Sequence, residues 1–394
     1  MALGVWVAAG ARDEPDALAG ASHFIEHMAF KGTTRRSALE IARELDRLGG
    51  QANAFTSKEA TCFHARVLPE HLPRAVDLLS EIVLEPAYDP AELERERAVI
   101  LQEIASVEDT PEELVHVLGA EHFWSAHPLG RPVLGTRESV GRLRREELLE
   151  YMRSAYAAER VVVAAVGAFN TTELARMLEP LATALPSRST LAPRTPPAPT
   201  PGLKLAPREL NQLHMVICAP APPAPDPRRY TAAMLSNILG GGMSSVLFQE
   251  VRERRGLAYS VYSYLSVYCD AGMISVYIGT SPSRGPEALK VALGQMQLLA
   301  ERGPTAQQLA DAKDHLKGSV LLGIEHPEGA MSRLARSYLQ LGRYVDVKEV
   351  IRRIESVAPG DVRALAEECL SPTHLGVTAL GPGDEQALAR ELGV

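Results

Sequence analysis

Cysteine is scarce and scattered in this chain of 394 residues. Its four copies, Cys62, Cys218, Cys269 and Cys369, show no C-x-x-C spacing. That argues against a thiolate metal cluster or a disulfide framework, and points to free thiols in a reducing compartment. Long apolar runs are missing as well: nothing approaches the roughly 20 residues that a membrane-spanning helix needs, so no membrane partner is expected. Positive charge is outnumbered, with 41 Lys and Arg against 49 Asp and Glu and a net charge of -8. No basic stripe interleaves with aromatics, so nucleic acid is not an expected partner. The opening MALGVWVAAG lacks a basic n-region, and its V-x-V pattern reads as a buried strand rather than a signal peptide. A cytoplasmic location follows as the expectation.

What is present is ordinary globular usage, 46% hydrophobic and 23% charged, enough to bury substantial cores. The length exceeds one compact core and suits two domains of close to 200 residues. A single stretch, PSRSTLAPRTPPAPTPGLKLAP from Pro186 to Pro207, has clustered prolines that fix φ, remove donors and leave neither helical nor strand periodicity. It divides the chain into residues 1–186, a linker 187–207, and residues 208–394.

The second half repeats the plan of the first. LGVWVAAG, a helix with HFIEH, KGTTRRSALEIARELDRLGG and the β-rich QANAFTSKEATCFHARVL are matched in order by LHMVICAPAP, RRYTAAMLSNIL, GGGMSSVLFQEVRERRGL and AYSVYSYLSVYCDAGMISVYIG. Each half then has a long segment with apolar residues three and four apart, PAELERERAVILQEIASV and TAQQLADAKDHLKGSVLLGI. RVVVAAVG and THLGVTALG read as closing strands. The predicted fold class is α+β: two homologous domains, each a mainly antiparallel sheet covered by helices.

His23 and His27 are one helical turn apart, so their imidazoles project from one helix face, with Glu26 beside them. That geometry suits a zinc ion taking two imidazole nitrogens and a carboxylate near its water. An H-x-x-E-H arises by chance in roughly one or two of every hundred such chains, so a third ligand is needed. ELERERAVILQEI supplies two candidates on one face, Glu96 and Glu103, seven residues apart. Taken alone, that segment reads as a solvated helix face with ion pairs at helical spacing.

GASHFIEHMAFKGT followed by ERAVILQE resembles the inverted-motif zinc metallopeptidases that include pitrilysin, insulin-degrading enzyme and the mitochondrial processing peptidase. The resemblance runs nearly end to end and is nearest to the small bacterial processing-peptidase-like members. It implies His23, His27 and Glu103 as zinc ligands, Glu26 as general base, and Glu96 as a carboxylate orienting a ligand histidine. VRERRGLAYSV resembles the segment in which an arginine and a tyrosine contact substrate, here Arg252 and Tyr259. NAFTSKE resembles the edge strand that pairs with substrate backbone, which implicates Asn53, Ala54 and Phe55. Val246 departs from the arginine that many relatives carry after SS, so no substrate contact is carried over to that position.

The resemblance also implies a zinc-dependent endopeptidase of peptides or unfolded segments. It would work in a closed chamber built by a homodimer, with Arg252 and Tyr259 of one chain approaching the zinc of the other. The alternatives are a non-catalytic peptide-binding or scaffold subunit, and a subunit active only with a different partner chain. GGGM lacks the G-x-x-x-x-G-K-[ST] continuation of a phosphate cradle and reads as a turn or hinge. Neither His64, His116, His122 nor His214 has ligand spacing.

Overall fold

The computed structural model describes residues 1–393. In chain order its elements begin β1 (Ala2–Val7), α1 (Ala21–Ala29), α2 (Ala38–Arg47), β2 (Gln51–Thr56), β3 (Thr61–Arg66), α3 (Leu72–Leu84) and α4 (Pro90–Glu108). There follow α5 (Pro111–Phe123), α6 (Arg137–Arg142), α7 (Arg145–Ala155), β4 (Val161–Val166), α8 (Thr171–Ala184), β5 (Gly202–Ala206), β6 (Leu213–Ala221) and α9 (Arg229–Gly240). The remainder is β7 (Ala258–Val267), β8 (Gly272–Thr280), α10 (Gly285–Arg302), α11 (Ala306–Gly323), α12 (Pro327–Leu341), α13 (Val347–Ser356), α14 (Pro359–Cys369), β9 (Gly376–Leu380) and α15 (Glu385–Leu392).

The fold is α+β with two sheets, as the patterning predicts. One has strand order β2-β3-β1-β4 and is antiparallel throughout. The other has order β5-β9-β6-β8-β7 and is antiparallel except for the parallel pair β5 and β9. The chain forms two compact units: Met1–Ser106 with Arg131–Arg194 and Leu322–Tyr344, and Val107–Gly130 with Thr195–Leu321 and Val345–Val394. Each unit therefore draws one helix from the sequence neighbourhood of the other: α12 belongs to the first and α5 to the second. The segment read as linker ends differently from its description in the sequence. Its residues GLKLA form β5 against β9, because no proline falls between Pro201 and Pro207 and the edge position asks for hydrogen bonds on one side only.

Burial explains the placement of β1. Leu3, Val5 and Val7 face a core shared with Phe24, Ile25 and Met28 of α1 and Leu78, Leu79 and Ile82 of α3. Ala2 and Trp6 point the other way, into a cluster with Met331 and Ala335 of α12. A strand covered on both faces has no solvent side, hence its continuous apolar run. Full burial of each large apolar side chain contributes about 1.5–3 kcal/mol. The Phe24, Ile25 and Met28 stripe thus pins α1 and fixes which of its faces is left for chemistry. In the second unit, Val115, Phe123 and Trp124 join Val216, Cys218 and Tyr277 beneath α5 in the same manner.

Candidate metal centre

The helix α1 begins at Gly20, which holds φ +93, and its buried stripe turns His23, Glu26 and His27 toward α4. The two imidazole rings lie with centroids 4.6 Å apart and planes at 68°. From α4, Glu103 Oε2 reaches 3.6 Å from His23 Nε2 and 3.6 Å from His27 Nε2. One donor atom from each of the three residues falls in a cluster whose members are all within 4.8 Å of one another. Donors around a tetrahedral ion with bonds of about 2.0–2.2 Å stand roughly 3.3–3.6 Å apart, so these three residues fit a zinc ion. Glu103 is 43% exposed at its side chain while His23 and His27 are largely covered, which leaves an approach from the Glu103 side.

Glu96, also on α4, takes a different place. Its Oε2 is 2.9 Å from His27 Nδ1 and its Oε1 2.7 Å from Lys31 Nζ. The bond on Nδ1 leaves His27 Nε2 to face Glu103, the arrangement by which an outer carboxylate sets a ligand's tautomer and ring direction. Burial pulls the Glu96 carboxyl up, but the bonds and charges of Lys31 and His27 outweigh it and hold the group below the usual range. His23 is moved by burial and then by the neighbouring His27, down to about 4, so it is neutral at pH 7, the form a metal ligand requires.

Glu26 sits on the same helix, and Thr56 Oγ1 donates to its Oε2 at 2.6 Å. Burial raises its pKa, while the Thr56 bond and the His27 charge oppose the rise. Thr56 ends β2, and among the described residues β2 pairs only with β3, so its other edge is open to an added strand. On that strand Ala54 N is occupied by the Oδ1 of its own neighbour Asn53 at 2.9 Å. Phe55 is 38% exposed and packs edge-on against Trp6 at 5.2 Å.

Arg252 and Tyr259 lie in the second unit, the metal trio in the first. Arg252 sits on a π-helical turn, Phe248–Glu253, a feature frequent at functional sites. Its guanidinium lies 4.7 Å from the Phe248 ring and 4.9 Å from the Tyr259 ring. Tyr259 is 76% exposed at the start of β7. Sequence reasoning missed Thr56 and Lys31. Both stand inside quoted motifs, NAFTSKE and HMAFKGT, but nothing local says that one would bond Glu26 and the other Glu96.

The chain is thus an α+β protein of two compact units in which an inverted histidine-glutamate motif on one helix faces a carboxylate from a second. Residues 1–137 match the family model described as insulinase (peptidase family M16), and residues 142–316 the one described as peptidase M16 inactive domain. A protein of Streptomyces coelicolor named an uncharacterized zinc protease is 39% identical over 98% of this chain and 86% of its own length. A protein of Bacillus subtilis named uncharacterized zinc protease YmxG is 37% identical over 95% of this chain and 91% of its own length. A solved structure described as a peptidase M16 inactive domain from Pseudomonas fluorescens superposes with a TM-score of 0.90 at 23% identity, covering 97% of this chain and 93% of that one. A protease from Helicobacter pylori gives 0.89 at 19%, with the same coverage. The chain belongs to the insulinase family, peptidase family M16.

Proposed function

We propose that this chain is a zinc-dependent endopeptidase that cleaves peptides or unfolded segments, acting in the cytoplasm as a homodimer with an enclosed chamber. The observation that carries the reading is the placement of Glu103 Oε2 at 3.6 Å from both His23 Nε2 and His27 Nε2, with Glu26 on the same helix. When bound, the ion would supply Lewis-acid polarisation of the scissile carbonyl and acidification of a water.

The chain's own residues supply the rest. Glu26, held by Thr56, takes the proton of the attacking water and hands it to the departing amine. The open edge of β2 binds the substrate backbone as an added strand, and pairing there displaces the Asn53 side chain from Ala54 N. Phe55, resting on Trp6, offers an apolar contact to a substrate side chain. Tyr259 of a partner copy donates to the developing oxyanion, and Arg252 holds that phenol by stacking on its ring.

The test combines zinc content with cleavage of a quenched unstructured peptide by the purified chain and by Glu26→Gln, with sedimentation to count chains. Near-stoichiometric zinc, chelator-sensitive cleavage and a Glu26→Gln protein that keeps zinc but loses turnover support the reading. A metal-free, inert protein would point to the scaffold alternative, and activity only after adding a second gene product to a required partner.

A further inference from the structure

The first turn of α1 is closed from a distance. Its N-cap, Gly20, holds φ +93, and a Cβ there would come 2.8 Å from the Leu134 carbonyl oxygen and 3.1 Å from Gly135 Cα. The Ser, Thr, Asp or Asn that ordinarily accept from the first-turn N–H groups are therefore barred, by a backbone region that favours glycine and by lack of room. Glu14 does the work instead. Its Oε2 accepts from Gly20 N at 2.7 Å and its Oε1 from Ser22 N at 2.7 Å, with the residue only 3% exposed. Arg131 secures the same loop, donating to the Glu14 carbonyl oxygen at 2.8 Å and pairing with Asp16 at 2.5 Å.

The residue after Ser22 is His23, and the two candidate imidazoles differ in how they are held. Glu96 orients His27 through Nδ1. His23 Nδ1 is buried and has no hydrogen-bond partner among the described residues. With no bond to set its ring, the direction of His23 Nε2 depends on packing and on the backbone of the first turn, which Glu14 clamps on both sides of Ala21.

We propose that Glu14 is a positioning residue for the metal centre: by closing the start of α1 with a bidentate carboxyl group it presets the direction of His23, and with it the affinity and geometry of the site. The inference rests on the zinc reading above. It assigns to His23 the equivalent of what Glu96 gives His27, delivered through the backbone rather than through the ring.

The deciding experiment measures zinc affinity by chelator competition, and the visible spectrum of the cobalt-substituted full chain, for wild type, Glu14→Gln, Glu14→Ala and Tyr151→Phe. The last removes the 3.1 Å contact between Ser22 Oγ and Tyr151 Oη on the same turn and leaves the clamp intact. Glu14→Gln keeps the shape but sets an amide donor against one of the two N–H groups. It is expected to weaken zinc binding by about ten-fold or more and to alter the cobalt bands, while Tyr151→Phe keeps the wild-type affinity and spectrum. Should Glu14→Ala fail to fold, Glu14→Gln decides. Wild-type affinity and bands in Glu14→Gln overturn the proposal, and so does an equal loss in Tyr151→Phe, which would mark a general loosening of the helix. A wild-type chain that binds no zinc overturns the metal reading itself, before any variant is compared.

Discussion

The Thr56 hydroxyl donates to the Glu26 carboxylate at 2.6 Å, joining the last residue of the open-edged strand β2 to the helix that carries both candidate imidazoles. A hydrogen bond to a carboxylate fixes which oxygen faces the reacting water, and one misdirected base costs rate without costing metal. Thr56→Val, which keeps the shape and removes the donor, is expected to lower kcat/KM about ten-fold, equivalent to about 1.4 kcal/mol, with zinc content unchanged. Parallel peptide assays and metal analysis check this, and an unaltered rate would remove Thr56 from the site.

Glu96 and Glu103 are both carboxylates of α4, but only Glu103 has an oxygen near both Nε2 atoms. Glu96→Gln is expected to weaken zinc binding by about 10- to 100-fold, the range for partners of ligating histidines. Glu103→Gln should lose more. Competition titration with a chelator separates the two, and equal losses would erase the distinction between ligand and orienter.

Burial moves the Glu14 carboxyl up to about 7 from 4.5, against the pull of its Ser22 and Gly20 bonds. A raised folded-state value means the stabilising contribution is complete below pH 4.5, where the group is protonated folded and unfolded alike. It is lost as pH rises toward 7, where the unfolded carboxyl has ionised and the folded one resists. Over that window the metal-free wild type should lose about 3 kcal/mol relative to Glu14→Gln. Urea unfolding in a Trp124→Phe background reads it, since Trp6 is then the remaining tryptophan and lies in the first unit. Parallel profiles would contradict the assignment.

Tyr259 is 76% exposed, so its hydroxyl adds little to stability. Tyr259→Phe should melt like wild type and hold zinc, yet cut kcat by roughly 10²-fold if the phenol donates to the oxyanion. A change in KM with kcat intact would instead assign Tyr259 to ground-state binding.

The fold class was legible because its signals are local. Leu3, Val5 and Val7 alternate with Ala2, Gly4 and Trp6, and the β-rich stretches after each first helix became the hairpins β2–β3 and β7–β8. The pairing of the two histidines was legible for the same reason: a spacing of four in a helix puts His23 and His27 on one face whatever surrounds them. Where α5 and α12 would pack was not legible. Both carry apolar stripes that suit any sheet face, and only the fit of Met331 and Ala335 to Ala2 and Trp6, and of Val115 and Phe123 to Val216, shows which sheet each covers.

By itself the sequence determined the elements with a short period: the helix bearing the histidines, the carboxylates seven apart on α4, the strands and their turns. Backbone geometry sets those periods, so they survive without knowledge of neighbours. The different roles of Glu103 and Glu96 were implied by the family resemblance of their motif, but the tertiary structure alone decided that Lys31 joins His27 on Glu96. It alone decided that Thr56 holds Glu26, and that a carboxyl six residues before Gly20 closes α1. Those pairings arise because a buried polar group must find a partner, and which partner lies within reach is settled only when the helices have packed.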